Sequence, residues 1–140
     1  MKYLLDTTVL SEARKRSPDR ALAAWLDAVP EADVAISVLT LGEIERGVAA
    51  HPDTQQRVRL QTWLEDALRL RFAGRILGVD EAVASLWGRM AGASARQGRS
   101  VPVIDGLLVA TARRHALTLV TRNVTDVEGL GVPVLNPWEA

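Results

Sequence analysis

The chain contains no cysteine. Disulfide bridges and thiolate metal sites are excluded, and a reducing compartment is compatible with the composition. Histidine is nearly as scarce, with only His51 and His115 among 140 residues. A zinc site of imidazoles and thiolates would lack ligands, so any metal must be held by oxygen. Lysine occurs only as Lys2 and Lys15. A receiver domain, which needs paired acids after its first strand and a lysine after its last, does not fit. A phosphatase working through a phosphorylated aspartate fits no better, because the acid it wants two residues after Asp6 is Thr8. No apolar run approaches the roughly 18 residues of a membrane span, so no membrane association is expected. The amino terminus reaches Asp6 after only Tyr3, Leu4 and Leu5, too short a stretch for a secretory core. A cytoplasmic location is the expectation.

What is present describes one ordinary globular domain spanning 1–140, 48% hydrophobic and 24% charged. Net charge is zero but unevenly spread: Arg69 to Arg122 holds nine arginines against Asp80, Glu81 and Asp105. Such a basic half permits a phosphate-facing surface, and equally permits solvated helix faces. Apolar runs at Lys2–Leu5, Val34–Val38, Arg75–Val79, Thr118–Thr121 and Val132–Leu135 read as strands. Between them, Thr8–Lys15, Pro18–Val29 (capped by Ser17), Thr40 to about His51, Gln55–Phe72, Glu81–Gln97 and Ile104–His115 read as helices. Strands alternating with helices predict an α/β fold, a parallel sheet covered on both faces. In such sheets ligands bind beyond the carboxyl ends of the strands.

Three acids stand where strand or loop passes into helix. Asp6 follows the first strand, Glu43 comes one turn after the second, and Asp105 opens the helix before the fourth. Each has a structural alternative. Asp6 and Asp105 suit N-caps, and Glu43 matches the capping-box partner of Thr40. Taken together at one rim they would repel one another unless a cation neutralised them. An all-oxygen set suits Mg²⁺ or Mn²⁺, which take one or two carboxylates, keep waters and bind phosphate.

Four ordered stretches and the tail carry a resemblance across essentially the whole chain. They are Tyr3-Leu4-Leu5-Asp6-Thr7-Thr8-Val9-Leu10-Ser11-Glu12, Ser37-Val38-Leu39-Thr40-Leu41-Gly42-Glu43-Ile44-Glu45-Arg46-Gly47, Ile104-Asp105-Gly106-Leu107-Leu108-Val109-Ala110-Thr111-Ala112 and Leu119-Val120-Thr121-Arg122-Asn123, closed by Leu135-Asn136-Pro137-Trp138. The chain resembles the PIN-domain ribonucleases, in particular VapC toxins and their FitB-like branch. The resemblance implies a single PIN-like domain with a five-stranded sheet in the order 3-2-1-4-5. It implies a metal-dependent endoribonuclease, the toxin of a type II toxin–antitoxin system, leaving 3′-hydroxyl and 5′-phosphate ends. Asp6, Glu43 and Asp105 fall on the family's catalytic acids, with Asp6 and Asp105 as ligands of Mg²⁺ or Mn²⁺.

For the family's fourth acid, the chain offers Asn123 directly after the fourth strand and Asp126 three residues on. Asn123 adds no charge but can orient water or a carboxylate, and its place at the strand end puts it nearer the metal. Implied partners are RNA, a VapB/FitA-like antitoxin whose tail enters the acidic site, and a second copy in a homodimer. DNA is reached only through the antitoxin. Pro18–Val29 and Gln55–Phe72 carry apolar faces suited to antitoxin or dimer contact. The alternative is a catalytically weak PIN-like module that binds RNA or a partner. Thr7 and Thr8 are expected to cap a helix or contact phosphate, and Arg46 to pair with an acid such as Glu12 or meet phosphate. His51 and His115 are expected to be non-catalytic, and the four tryptophans to serve packing.

Overall fold

The apolar run at the amino terminus forms the central strand of the sheet. The computed structural model describes residues 1–140. In it β1 (Tyr3–Leu5) lies between β2 (Val34–Ser37) and β4 (Thr118–Val120). The edges are β3 (Ile76–Leu77) and β5 (Val134–Leu135), giving the order 3-2-1-4-5 that the resemblance implies. Every pairing is parallel, with Leu4 opposite both Ala35 and Leu119.

Side chains alternate across a strand, so an all-apolar strand feeds two cores. Leu5, Val34, Ile36 and Val120 point into the first. There they meet α1 (Thr7–Ala13), α2 (Arg20–Ala28), α3 (Val38–Ala50) and the long helical segment that follows. Leu4, Ala35 and Leu119 point into the second core, against α6 (Glu81–Arg96), α7 (Val103–Arg114) and α8 (Val124–Val127). Helices therefore cover both faces. None is long and apolar enough to cross a membrane.

Several local expectations change. The Gln55–Phe72 helix is α4 (Thr54–Trp63), a π-helical turn Leu64–Leu68 and α5 (Arg69–Arg71). Leu64, Leu68 and Phe72 are all buried at four-residue spacing. Four-residue steps overrun a 3.6-residue turn, and the wider π turn offsets that drift. The cap of α2 is Asp19 rather than Ser17: its carboxylate accepts the Leu22 amide at 3.1 Å. Of the apolar residues of α2 and its C-cap, Leu22 is buried in the first core, while Trp25, Leu26 and Val29 pack against that core and stay partly exposed. On the long helix Val58 and Leu70 remain 61% and 70% exposed. Part of the basic half is structural, since Arg71 and Arg75 both bind Glu31.

Candidate active site

Asp6 is both cap and site residue. It leaves β1 with extended backbone, and its amide donates to Val120 O at 3.0 Å, continuing the ladder to β4. One carboxylate oxygen accepts the Val9 amide at 3.2 Å, capping α1, and the Thr8 hydroxyl at 2.5 Å. The other accepts the hydroxyl of Thr121, the residue just beyond β4. With 8% exposure, Asp6 has lost most of its water. Burial pushes its carboxyl above the usual range although the Thr121, Thr8 and Val9 donors pull it down.

Glu43 does not form the expected capping box. Helix α3 starts where β2 stops, and Ser37 caps it by accepting the Leu39 amide at 3.0 Å. This start precedes Thr40, whose hydroxyl is buried inside the first turn without a partner. Glu43 is therefore too far along the helix to reach back to the cap. Its carboxylate instead accepts the Thr7 hydroxyl of α1 at 2.6 Å.

Asp105 is not a cap either. Pro102 precedes α7 and no side chain caps it, so Asp105 sits inside the first turn. Burial, then the charges of Asp126, Glu43 and Asp6 in that order, raise its carboxyl above the usual range. The carboxylate that caps α1 and those on α3, α7 and α8 thus share one field, felt at Asp105. Gly106 lets this helix approach α6, because a Cβ there would stand 2.9 Å from Trp87 Cδ1 and Nε1.

Asn123 and Asp126 differ in how they stand. Asn123 donates its backbone amide to Thr121 Oγ1 at 3.0 Å, while its exposed side chain makes no cap. Asp126, on α8, is the charge that acts most strongly on Asp105. Its backbone is clamped from outside the site. Arg99, in the α6–α7 connection, donates to Asp126 O at 3.1 Å and to Glu128 O at 2.5 Å.

Thr121 and Arg99 escaped the sequence reading. Thr121 lies inside one of the motif stretches, which was its only signal, whereas Arg99 had none. Neither Thr7 nor Thr8 caps a helix; each holds a carboxylate. Arg46 does not pair with Glu12, which binds Lys15 at 2.9 Å and the Asp19 amide at 3.2 Å. His51 accepts the Asp53 amide at a helix junction and His115 follows α7, both apart from the acids.

The donor set fits a hard divalent cation: oxygen only, anionic, with mutual repulsion that a positive charge would relieve. No three acidic or imidazole groups converge tightly enough to enclose an ion alone. An open arrangement of one or two carboxylates with water is the one Mg²⁺ takes.

The family model of the PIN domain matches residues 3–125, and the chain belongs to the PIN-domain family. It is 36% identical over 135 residues to Toxin FitB of Neisseria gonorrhoeae, covering 96% of this chain and 97% of that protein. With the VapC ribonuclease Y4jK of Sinorhizobium fredii it shares 34% identity over 136 residues, covering 97% of each. It superposes on the solved structure of FitAB bound to an IR36 DNA fragment with a TM-score of 0.90 at 34% identity, covering 97% of this chain and 95% of that one.

Proposed function

We propose that this protein is a metal-dependent endoribonuclease and the toxin of a type II toxin–antitoxin pair. The observation that carries the reading is the shared field of Asp6, Glu43, Asp105 and Asp126, in which burial and the other three charges raise Asp105. Kinship with a VapC ribonuclease and with Toxin FitB supports RNA as substrate and toxicity as outcome. Asp6 and Asp105 would hold Mg²⁺ or Mn²⁺. When bound, such a cation supplies Lewis acidity at a phosphoryl oxygen and lowers the pKa of water.

The chain's own residues organise the rest. Thr8 and Thr121 fix the two oxygens of Asp6, so its orientation is set before any ligand arrives. Thr7 engages one oxygen of Glu43 and leaves the other to orient the attacking water. Asp126 supplies the fourth negative charge, and the Asn123 amide orients water or phosphate beside it. Residues 1–140 act as one domain, in the cytoplasm and as a homodimer. A VapB/FitA-like antitoxin inserts its tail at the acidic rim and carries the contact with DNA. A solved structure of FitAB bound to a DNA fragment supports an antitoxin partner, and the long helix offers Val58 and Leu70 to a partner.

Purified protein incubated with an RNA panel and Mg²⁺ or Mn²⁺ should cleave, and EDTA should stop it. Undiminished cleavage in chelator would sink the mechanism. A second reading, an RNA- or partner-binding module that does not cleave, draws on the uncharged Asn123 at the strand end. Binding without cleavage across the whole panel is its signature.

A further inference from the structure

Beside the acids, between α1, α3 and α4, lies a cavity of about 180 Å³. Thr7 and Glu43 form one end of it, so it is continuous with the acidic rim. Leu60 and Trp63 of α4 form another wall. The guanidinium of Arg14, the residue that ends α1, lies over the Trp63 ring, 5.3 Å from its centroid. On α3, Glu43 and Gly47 are one turn apart and face the same way. A side chain at position 47 would therefore stand in the cavity, and a Cβ built there meets nothing within 4 Å.

We propose that this cavity takes one base of the RNA, that of the nucleotide next to the cleaved phosphodiester, and thereby gives cleavage a sequence preference. The proposal rests on the ribonuclease reading above. An indole and a guanidinium are the flat surfaces on which unpaired bases stack. The Glu43 carboxylate at the cavity's end repels a phosphate but not a neutral base, so the backbone stays at the rim while the base turns inward. Because Thr7 and Glu43 belong to both spaces, a base held here would lie directly beside the phosphodiester at the acids. Glycine at position 47 keeps the entrance open.

The test is sequencing of the new ends cut from a random RNA pool. Wild type should show a bias of about threefold at one nucleotide adjoining the cut, the modest preference that differences in stacking strength allow. Gly47→Leu should flatten that bias and slow cleavage of the favoured sequence, with Gly47→Ala between. Leu60→Phe fills the cavity from the opposite wall and should act alike, which covers a folding failure at position 47. Gly88→Leu, at a helical glycine of α6 with equally open surroundings, should keep the wild-type bias. In EDTA, the Asp105→Asn variant should bind the favoured oligonucleotide about tenfold more tightly than one abasic at that nucleotide. Wild-type cleavage without bias, or bias retained in the filled variants, overturns the proposal alone. Retained bias with lost antitoxin binding assigns the cavity to a protein partner instead. Absence of any cleavage by wild type overturns the ribonuclease reading and this proposal with it.

Discussion

Thr7 donates its hydroxyl to Glu43 across 2.6 Å, joining the first turn of α1 to α3 over 36 residues of sequence. The bond lies between two helices that start at neighbouring strand ends. It holds Glu43, whose charge acts on Asp105, rather than leaving it free in solvent. Thr7→Val retains the shape and removes the donor. Stability should fall by only about 0.5–1.5 kcal/mol, the usual net value of one hydrogen bond. RNA cleavage should fall further than that, because Glu43 loses its orientation. Thermal melts and cleavage rates on one preparation check this; equal small losses in both would reduce Thr7 to a structural tie.

The carboxylates Asp6 and Asp105 are both raised from the ordinary 3.8. Between that value and the raised one, the folded chain binds more protons than the unfolded chain. Without a cation, their contribution favours folding at low pH and is lost as pH rises through the folded-state values. Glu12 and Glu31 act oppositely. The hydrogen bonds from Lys15 and Arg71, respectively, hold them below 4.5, so their stabilisation is lost as pH falls through the lowered values. In EDTA the contribution of Asp6 and Asp105 should therefore hold the melting temperature level or raise it as pH falls from neutrality toward the ordinary carboxylate range. Asp105→Asn should abolish cleavage and raise the neutral-pH, metal-free melting temperature. Asp6→Asn should also abolish cleavage but gain less stability, since Asp6 accepts three hydrogen bonds. A steep loss of stability in Asp105→Asn would mean that its charge is compensated without a cation.

Asp126→Asn should weaken Mn²⁺ affinity and turnover strongly, because Asp126 is the charge felt most by Asp105. Asn123→Ala should be mild by comparison. Arg99→Ala should act in the same direction as Asp126→Asn but more weakly, by freeing the backbone carbonyls of Asp126 and Glu128. Calorimetric Mn²⁺ titration of the three variants ranks them. A silent Asp126→Asn beside a dead Asn123→Ala would invert the assignment.

Gly106→Ala should destabilise the fold by about 1–3 kcal/mol, the cost of overpacking, because its Cβ would meet the Trp87 ring at 2.9 Å. That outweighs the gain of about 1 kcal/mol in helix propensity. Adding Trp87→Leu should return part of the loss in a thermal melt. A stable Gly106→Ala with no further change on Trp87→Leu would show that α6 and α7 part without cost.

The sequence by itself determined the architecture, the positions of the acids and the kind of ligand they suit. Runs such as Tyr3-Leu4-Leu5 and Val34-Ala35-Ile36 are apolar at every position, and only a strand buried on both faces uses every position. Asp6 follows the first of those runs directly, Glu43 lies on the helix after the second and Asp105 opens the helix before the fourth strand, while the absence of cysteine with only two histidines points to oxygen ligands. The tertiary structure decided which reading of each polar residue holds. Thr40 and Glu43 have capping-box spacing, but α3 starts at Val38, because β2 leaves the sheet at Ser37. The donor that Glu43 finds, Thr7, lies on another element. Asp126 acts on Asp105 from α8, whose backbone is held by Arg99, 27 residues away from Asp126 in sequence. Local spacing determines what a side chain can reach along its own helix. Which partners stand across from it depends on how strands and helices pack, and no window of sequence contains that information.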